Sequence, residues 1–356
     1  MTNLPELLAH RPDLAARFDA VRRFGKQVRA AEVHLTNACN LRCKGCWFFA
    51  KEFDVATLEK GGRGVWPRFA RELADKGVTA PLLIGGEPSL FPDRVASFVE
   101  VMPYVTISSN GLKALPRQGF EDVNVALTLF GGGQLDDDLR GWSPGGRKIE
   151  NLFGTALDNY RNDDRAIFIY ILDPRGRDLV EDTVRRIQDN GNQCTFGSYT
   201  DYDGEETDDE SAREALLETA LDVASRYPET VLSPPGYVRA VLTGRTRFGE
   251  FGYDVCPSIS FDHPAHEERK RNGNPVLPGF NAYSADRETL AFCCTSGSCG
   301  ECRDSQAIYS WLMVSLHHYL GSAEQLEEWL DVAESYWRQF LWSPVPRSAA
   351  ALQVAS

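Results

Sequence analysis

Three of the nine cysteines lie close together, in the run Cys39-Asn-Leu-Arg-Cys43-Lys-Gly-Cys46. Thiolates at this spacing can bind three irons of a [4Fe–4S] cluster and leave the fourth iron without a protein ligand. The alternative is a structural zinc site, which needs four ligands, and no fourth cysteine lies nearby in the sequence. The spacing therefore favours an iron–sulfur cluster whose open iron can take part in a reaction.

The cysteine triplet directly follows the first of six predicted strands. Between residues 31 and 198, short β-branched runs alternate with helical stretches, which predicts βα units and a parallel sheet. Helical periodicity that stops at a glycine predicts helices at Trp66–Lys76 and Leu179–Asn190. The predicted fold class is α/β, a partial (β/α)6 parallel barrel, whose carboxyl-end loops would bind ligands. The six strands are predicted at Glu32–Thr36, Pro81–Ile84, Tyr104–Ser108, Val123–Leu129, Ala166–Leu172 and Gln193–Ser198.

Two further strand ends carry short motifs. Gly85-Gly86-Glu87-Pro88 follows the second strand, and Ser108-Ser109-Asn110-Gly111 ends the third. A glycine pair or an Asn-Gly step alone usually marks only a turn. Three motifs at the same end of three successive strands instead indicate one shared binding site.

These motifs resemble those of the radical S-adenosylmethionine (SAM) superfamily, over roughly residues 30–200. The resemblance implies that SAM chelates the open iron, and that an electron from the cluster breaks its S–C5′ bond. The resulting 5′-deoxyadenosyl radical would take a hydrogen atom from a small-molecule substrate, with flavodoxin or ferredoxin as the electron donor. It also implies a set of SAM-contacting residues: Gly85, Gly86, Glu87 and Pro88 at the methionine amino group, Ser108, Ser109 and Asn110 near the ribose, and Thr128 on the fourth strand.

The chain departs from the superfamily pattern at two positions. The residue before the third cysteine is often aromatic and packs near adenine, whereas this chain has Gly45, with Trp47 just after the cysteine. Trp47 either takes over that packing or belongs to the core. The fourth strand carries Thr128-Leu129-Phe130 where many relatives with a second cluster have Ser-x-Asp. A substrate contact from that strand is therefore not carried over.

Five more cysteines lie in the last third of the chain. Cys256 precedes a strand-like segment that ends at Cys293-Cys294, and Cys299-Gly-Glu-Cys302 follows. This layout resembles the twitch subdomain, the short form of the SPASM extension, and implies an auxiliary [4Fe–4S] cluster. One of Cys293 and Cys294 suffices as a ligand, and the position favours Cys293. Structural zinc is the alternative, since four cysteines also bind zinc.

Cys194 stands alone on the sixth predicted strand. A single cysteine in a strand is usually a small buried hydrophobic residue. If its side chain instead points into the barrel, its S–H bond could donate a hydrogen atom to a substrate radical, which would make the enzyme an epimerase.

The composition and charge of the 356-residue chain exclude some classes of protein. Lys and Arg total 38 and Asp and Glu total 51, so the formal charge of −13 disfavours nucleic acid as a partner. We find no apolar run long enough to span a membrane and no signal peptide, which predicts a cytoplasmic protein. The predicted division is an N-terminal helical segment (1–30), the radical SAM partial barrel (31–200), an acidic linker with helices (201–255), the auxiliary-cluster module (256–304), C-terminal helices (305–342) and a flexible tail (343–356).

The sequence predicts a radical SAM oxidoreductase or epimerase acting on a small polar natural product, such as a sugar, aminocyclitol or nucleoside. The short segment before the first strand is too small for an added peptide-binding domain, which favours this interpretation. The first alternative is a peptide-modifying radical SAM enzyme. The second is a non-enzymatic iron–sulfur carrier, which would have no use for an open iron.

Overall fold

The structure, a computed structural model, describes residues 4–62, 64–200, 209–243, 256–273, 276, 277, 279–291, 293 and 303–338. Within these residues, a mostly parallel sheet has helices packed on it. Its strands are β1 (Ala30–Thr36), β2 (Ala80–Gly85), β3 (Thr106–Ser109), β4 (Asn124–Phe130), β5 (Ala166–Leu172), β6 (Gln193–Ser198), β7 (Ala282–Tyr283) and β8 (Leu290–Ala291).

The strands lie in the order β6-β5-β4-β3-β2-β1-β7-β8. All neighbours from β6 to β7 are parallel, and β8 is antiparallel to β7. The predicted parallel α/β arrangement is therefore confirmed. The described residues form an open sheet rather than a closed barrel, with β6 and β8 at its two edges.

The helices bury apolar stripes against the sheet or against each other. Trp66, Phe69, Ala70 and Leu73 are buried on one face of the helix Val65–Asp75, at the spacing of an amphipathic helix. The helices are α1 (Leu4–His10), α2 (Pro12–Gln27), α3 (Trp47–Ala50), α4 (Phe53–Ala56), α5 (Val65–Asp75), α6 (Pro92–Val99), α7 (Gly133–Arg140), α8 (Leu152–Asn159), α9 (Val180–Asp189), α10 (Glu210–Arg226), α11 (Pro235–Thr243), α12 (Glu267–Arg271), α13 (Ser305–Val314) and α14 (Ala323–Tyr336). No helix among the described residues combines the length and apolar character needed to span a bilayer.

The two faces of the sheet differ in polarity. Val33, Leu83, Ile107 and Val125 belong to the hydrophobic core on the face covered by helices. Residues of the opposite parity, among them Glu32, line a cavity on the other face. Side chains of successive strand residues point to opposite faces, so parity separates the packing residues from the residues that can meet a ligand.

The C-terminal segment contacts both ends of the parallel sheet. At one end, β7 pairs with β1. At the other, a Cβ added to Gly197 of β6 would lie 3.3 Å from the Ser305 hydroxyl at the start of α13. The Ser258 hydroxyl is hydrogen-bonded to Ser310 of α13. The start of α13 therefore lies beside β6, and Ser305 contributes to the wall of a cavity on this face of the sheet.

Candidate functional site

The carboxyl ends of the parallel strands surround a cavity of about 250 Å³. The cysteine loop after β1 and the loops after β2 and β3 all contribute to its wall. Its described lining includes Glu32, Cys39, Cys43, Gly45, Cys46, Trp47, Ile84, Gly85, Gly86, Glu87, Ser108, Ser109, Asn110, Thr128, Phe130, Arg140, Ile169, Tyr199, Arg303 and Asp304. The structure thus brings together all three motifs at the end of the sheet where ligands bind in open α/β folds.

The three thiols of the cysteine loop lie at one wall of this cavity. Burial raises the pKa of both Cys39 and Cys43 to about 12, and it also raises the pKa of Cys46. As free groups these thiols stay protonated, whereas a bound metal would deprotonate them. Three cysteines in one loop fit three irons of a [4Fe–4S] cluster. Within the described part of the chain, no three Cys, His, Asp or Glu side chains converge on a single ion; in a [4Fe–4S] cluster, each thiolate would bind a different iron.

The second motif lies directly on the cysteine loop. The amide of Gly86 donates to the carbonyl oxygen of Thr36 at 2.8 Å, and the amide of Glu87 donates to that of Ala38 at 2.8 Å. A Cβ on Gly86 would lie 2.0 Å from the Ala38 carbonyl oxygen. Only glycine allows the two backbones to approach this closely. Pro88 begins a 3₁₀ helix and is buried beneath the loop.

Glu87 connects the second motif to the third. Its carboxylate accepts hydrogen bonds from the amides of Ser89 at 3.0 Å and Asn110 at 2.7 Å, and from the Ser109 hydroxyl. Burial nevertheless raises its pKa. The side chain thus holds two strand-end loops in register. Whether it also contacts the amino group of SAM stays a prediction.

Asn110 connects the third motif to the cysteine loop. Its side-chain amide donates to Oδ1 of Asn40 at 2.6 Å and lies 4.0 Å from the sulfur of Cys39. Its own Oδ1 accepts from the amide of Leu112 at 3.0 Å. Asn40 was not predicted from the sequence, because its role depends on a residue 70 positions away.

Arg140, at the end of α7, is a second residue that the sequence did not reveal. It is 2% exposed, pairs with Asp136 at 3.0 Å, and donates to the carbonyl oxygen of Asn110 at 3.1 Å and to the thiol of Cys43. A buried guanidinium therefore fixes the third motif relative to the second cysteine. The run Asp136-Asp137-Asp138 gave no sign of it, because charge runs are usually solvated.

Gly45 and Trp47 have distinct surroundings. Gly45 has φ +66°, and an added Cβ would lie 2.6 Å from the hydroxyl of Tyr199, just after β6. Tyr199 in turn packs against Phe130, with ring centroids 5.5 Å apart. Trp47 lines the cavity and packs against His34 at 5.9 Å. The rings of Tyr199, which follows the edge strand β6, and of Trp47, which follows Cys46, thus both line the cavity.

The structure places Thr128 on the cavity wall and Cys194 away from it. Thr128 pairs with Ile169, which also lines the cavity. Cys194 pairs with Phe168 and belongs to the hydrophobic core, with no exposed surface. Its thiol is therefore on the face covered by helices. This burial agrees with the interpretation of Cys194 as a small buried residue, and its role as a hydrogen donor stays a prediction.

The structure describes two of the five cysteines predicted for an auxiliary cluster. Cys256 and Cys293 are both buried, and Cys293 forms an isolated β-bridge with Ile259, three residues after Cys256. The sulfur of Cys256 accepts from the amide of Ser258 at 3.3 Å. Cys294, Cys299 and Cys302 lie outside the described residues. The auxiliary site therefore stays a prediction.

Two buried polar residues on β1 add an unexpected element. Glu32 lines the cavity, and its Oε1 lies 3.7 Å from Nε2 of His34. Burial raises the pKa of Glu32 well above its ordinary range, and it lowers the pKa of His34 to about 4. A parallel strand buried on both faces is normally almost continuously apolar. The alternation Glu32-Val33-His34 was the signal that could have singled out these two residues.

Three strand-end loops meet at one cavity of a parallel sheet, an arrangement similar to that of radical SAM enzymes. GTP 3′,8-cyclase of Chlorobaculum tepidum is 32% identical over 116 residues, which are 30% of this chain and 34% of that protein. A probable GTP 3′,8-cyclase of Thermococcus kodakarensis is 31% identical over 114 residues, 30% of this chain and 36% of that protein. The chain thus spans about a third of the length of these relatives.

Solved structures also share similarity with this chain. The match to native anSMEcpe with bound AdoMet covers 60% of this chain and 66% of that protein, at 13% sequence identity and a TM-score of 0.44. The same protein with AdoMet and Cp18Cys peptide gives 12% identity and a TM-score of 0.45. No protein-family model matches the chain.

Proposed function

We propose that this radical SAM enzyme cleaves SAM reductively and abstracts a hydrogen atom from a small polar substrate, which it oxidises or epimerises. One observation carries the proposal: the cysteine, GGEP and SSNG loops meet at one cavity through direct hydrogen bonds. A non-enzymatic iron carrier would need the cysteine loop but not the two other loops.

The residues of the cavity wall have distinct tasks in this proposal. Cys39, Cys43 and Cys46 would bind a [4Fe–4S] cluster, and the loops Gly85–Pro88 and Ser108–Asn110 would hold SAM, with Thr128 nearby. When bound, the cluster and SAM supply the electron and the 5′-deoxyadenosyl radical. The protein's own part is to hold the substrate carbon close and to exclude competing hydrogen donors.

The apolar side chains of the cavity suit that part. Ile84, Ile169 and Phe130 face the cavity from three different strands, and Tyr199 packs on Phe130. Such a wall keeps water from a reactive carbon radical and offers few weak bonds to it. The thiol of Cys194, which would be a competing hydrogen donor, is on the other face of the sheet.

The test is SAM cleavage under anaerobic, reducing conditions, with 5′-deoxyadenosine as the measured product. We expect slow cleavage by the wild type and loss of both iron and cleavage in Cys43→Ala. Cys194→Ala is the control, because it removes a buried thiol that lies outside the cavity. Full iron content and undiminished cleavage in Cys43→Ala would refute the proposed site.

Iron content also tests the auxiliary cluster that we propose for Cys256, Cys293 or Cys294, Cys299 and Cys302. Two [4Fe–4S] clusters require about eight irons per chain, whereas one cluster with a structural zinc requires about four irons and one zinc. A second cluster would offer an acceptor for the substrate electron, which favours oxidation. One zinc per chain would remove this part of the proposal.

A further inference from the structure

A short hairpin, residues 142–148, is bound directly to the cysteine loop. The amide of Arg42 donates to the carbonyl oxygen of Trp142 at 2.6 Å, and the amide of Lys44 donates to that of Leu139 at 2.7 Å. The two ends of the hairpin form an antiparallel β-bridge. The hairpin and the loop that carries the three thiols therefore form one continuous piece of surface.

This contact brings four basic residues together, which we call the basic surface. Arg42 and Lys44 lie in the cysteine loop, and Arg147 and Lys148 lie in the hairpin. Lys44 and Arg147 are exposed, whereas Arg42 and Lys148 are partly exposed. The charges of the basic surface are thus within reach of a partner in solution.

Nearby acids balance only part of this positive charge. Asp138 pairs with Lys148 at 3.1 Å, and the other three basic residues form no ion pair within the described part of the chain. With Glu150, which follows the hairpin, two acids adjoin four basic residues, although the whole chain has a net charge of −13. A local excess of positive charge on an acidic protein attracts a negatively charged partner.

The basic surface lies beside the cavity that contains the three thiols. The guanidinium of Arg42 lies over the ring of Phe49, 3.8 Å from its centroid, and Phe49 lines the cavity. Arg42 and Lys44 also flank Cys43 in the chain. A partner bound at the basic surface would therefore lie close to the cysteine loop without entering the cavity.

We propose that the basic surface binds an acidic electron-transfer protein, which reduces the cluster by one electron. The donor protein loses the electron and the cluster gains it, and no atom is transferred. Complexes between electron-transfer proteins are small and weak, and complementary charge orients the partners and speeds their encounter. This docking surface rests on the proposed function, because it requires a cluster at the three thiols that must be reduced.

The test measures how fast protein donors reduce the cluster of the reconstituted protein. The probes are a bacterial flavodoxin and a bacterial [4Fe–4S] ferredoxin, both acidic, and stopped-flow absorbance follows the reduction. We expect at least one donor to reduce the wild type at low salt. Lys44→Glu/Arg147→Glu should be reduced about tenfold more slowly or less, because electrostatic steering changes association rates by at least this factor. The difference should shrink at about 0.5 M salt, which screens exposed charges.

A matched variant separates the basic surface from the net charge of the chain. Lys76→Glu/Arg161→Glu makes the same change in charge at the opposite end of the sheet, since Lys76 precedes β2 and Arg161 precedes β5. This variant should be reduced as fast as the wild type. Both double variants should bind the wild-type amount of iron. Both should also be reduced by photoreduced 5-deazariboflavin, an uncharged small molecule that needs no docking surface.

Several results would overturn the docking surface. One is reduction of Lys44→Glu/Arg147→Glu at the wild-type rate, and another is equal slowing in the matched variant. A third is failure of both donors to reduce a wild-type cluster that 5-deazariboflavin does reduce. A surface for nucleic acid would instead bind a short DNA oligonucleotide through Lys44 and Arg147 and neither donor, which would also contradict the proposal.

The docking surface and the proposed function fail in different ways. SAM cleavage driven by 5-deazariboflavin, with no effect of the basic surface on either donor, would refute the docking surface alone. Cluster reduction that depends on Lys44 and Arg147, without any cleavage of SAM, would keep the docking surface and refute the proposed function. A wild type that binds no iron would refute both.

Discussion

The close contact between the cysteine loop and the GGEP loop predicts a large effect of a single methyl group. In Gly86→Ala, the new Cβ would lie 2.0 Å from the carbonyl oxygen of Ala38 and 2.4 Å from its carbonyl carbon. Both atoms belong to the backbone, so no side-chain rotation can relieve the clash. The two loops must separate, which breaks the hydrogen bonds Gly86–Thr36 and Glu87–Ala38, both 2.8 Å long.

The size of the effect follows from these contacts. Two net hydrogen bonds at about 0.5–1.5 kcal/mol each, with about 1–3 kcal/mol for overpacking, give a loss of about 2–6 kcal/mol in unfolding free energy. The same separation moves the cysteine loop, so iron binding after reconstitution should also fall. Gly61→Ala is the matched control, because an added Cβ there meets no atom within 4 Å.

Urea unfolding followed by circular dichroism measures the stability, and iron per chain measures the site. We expect Gly61→Ala to stay within about 0.5 kcal/mol of the wild type, as surface substitutions usually do. If Gly86→Ala is as stable as Gly61→Ala and binds as much iron, the contact between the two loops is not as described, and the reasoning fails.

Three substitutions of other buried groups give further predictions. Arg140→Met leaves Asp136 buried without its partner and should lower the free energy of unfolding by about 3–5 kcal/mol. Adding Asp136→Asn to this variant should recover part of the loss. If urea titration shows no recovery, the described ion pair is contradicted. The folded state lowers the pKa of His34 to about 4. Between pH 6.5 and 4, acid therefore favours the unfolded chain, and the unfolding free energy should fall by about 3 kcal/mol. His34→Leu should remove most of this fall. An unchanged pH profile would contradict a neutral buried His34. Cys194→Ala should lower stability by about 1 kcal/mol and leave product stereochemistry unchanged in chromatography; loss of an epimerised product would restore its role as a donor.

The parallel strands were predictable because their signals are local. Ala166–Leu172 and Gln193–Ser198 have the bounds that the sequence predicts, and the other four differ by one or two residues at their ends. Runs of β-branched and apolar residues between glycine and charged turns determine these strands without reference to the rest of the chain. The same locality explains why the motif loops at the strand ends could be recognised.

The ends of helices were less predictable than the strands. Pro234-Pro235-Gly236 reads as a break, yet α11 begins at Pro235, since proline is well tolerated in the first turn of a helix. Within the region 305–342, predicted as C-terminal helices, α13 ends at Val314 and a 3₁₀ helix follows at Leu316–Tyr319. Both differences concern termini, where side-chain and tertiary contacts decide between similar local conformations.

The residues around the cavity could not be predicted, because their partners are distant in sequence. Arg140 meets Asn110 across 30 positions, and Asn110 meets Asn40 across 70. Asp304, just before α13, lines the same cavity although it lies far from the motif loops in the sequence. No periodicity or spacing within a segment contains this information, which arises only when the elements pack.

The scaffold of the site is held mainly by groups other than the thiols. Glu87 joins the second and third motifs, and Arg140 joins the third motif to α7 through Asp136. These contacts do not need a cluster, whereas the thiols remain protonated until a metal binds, because burial raises their pKa. The chain can therefore fold first and load its cluster into a prepared cavity, so a cysteine variant that loses iron should still fold.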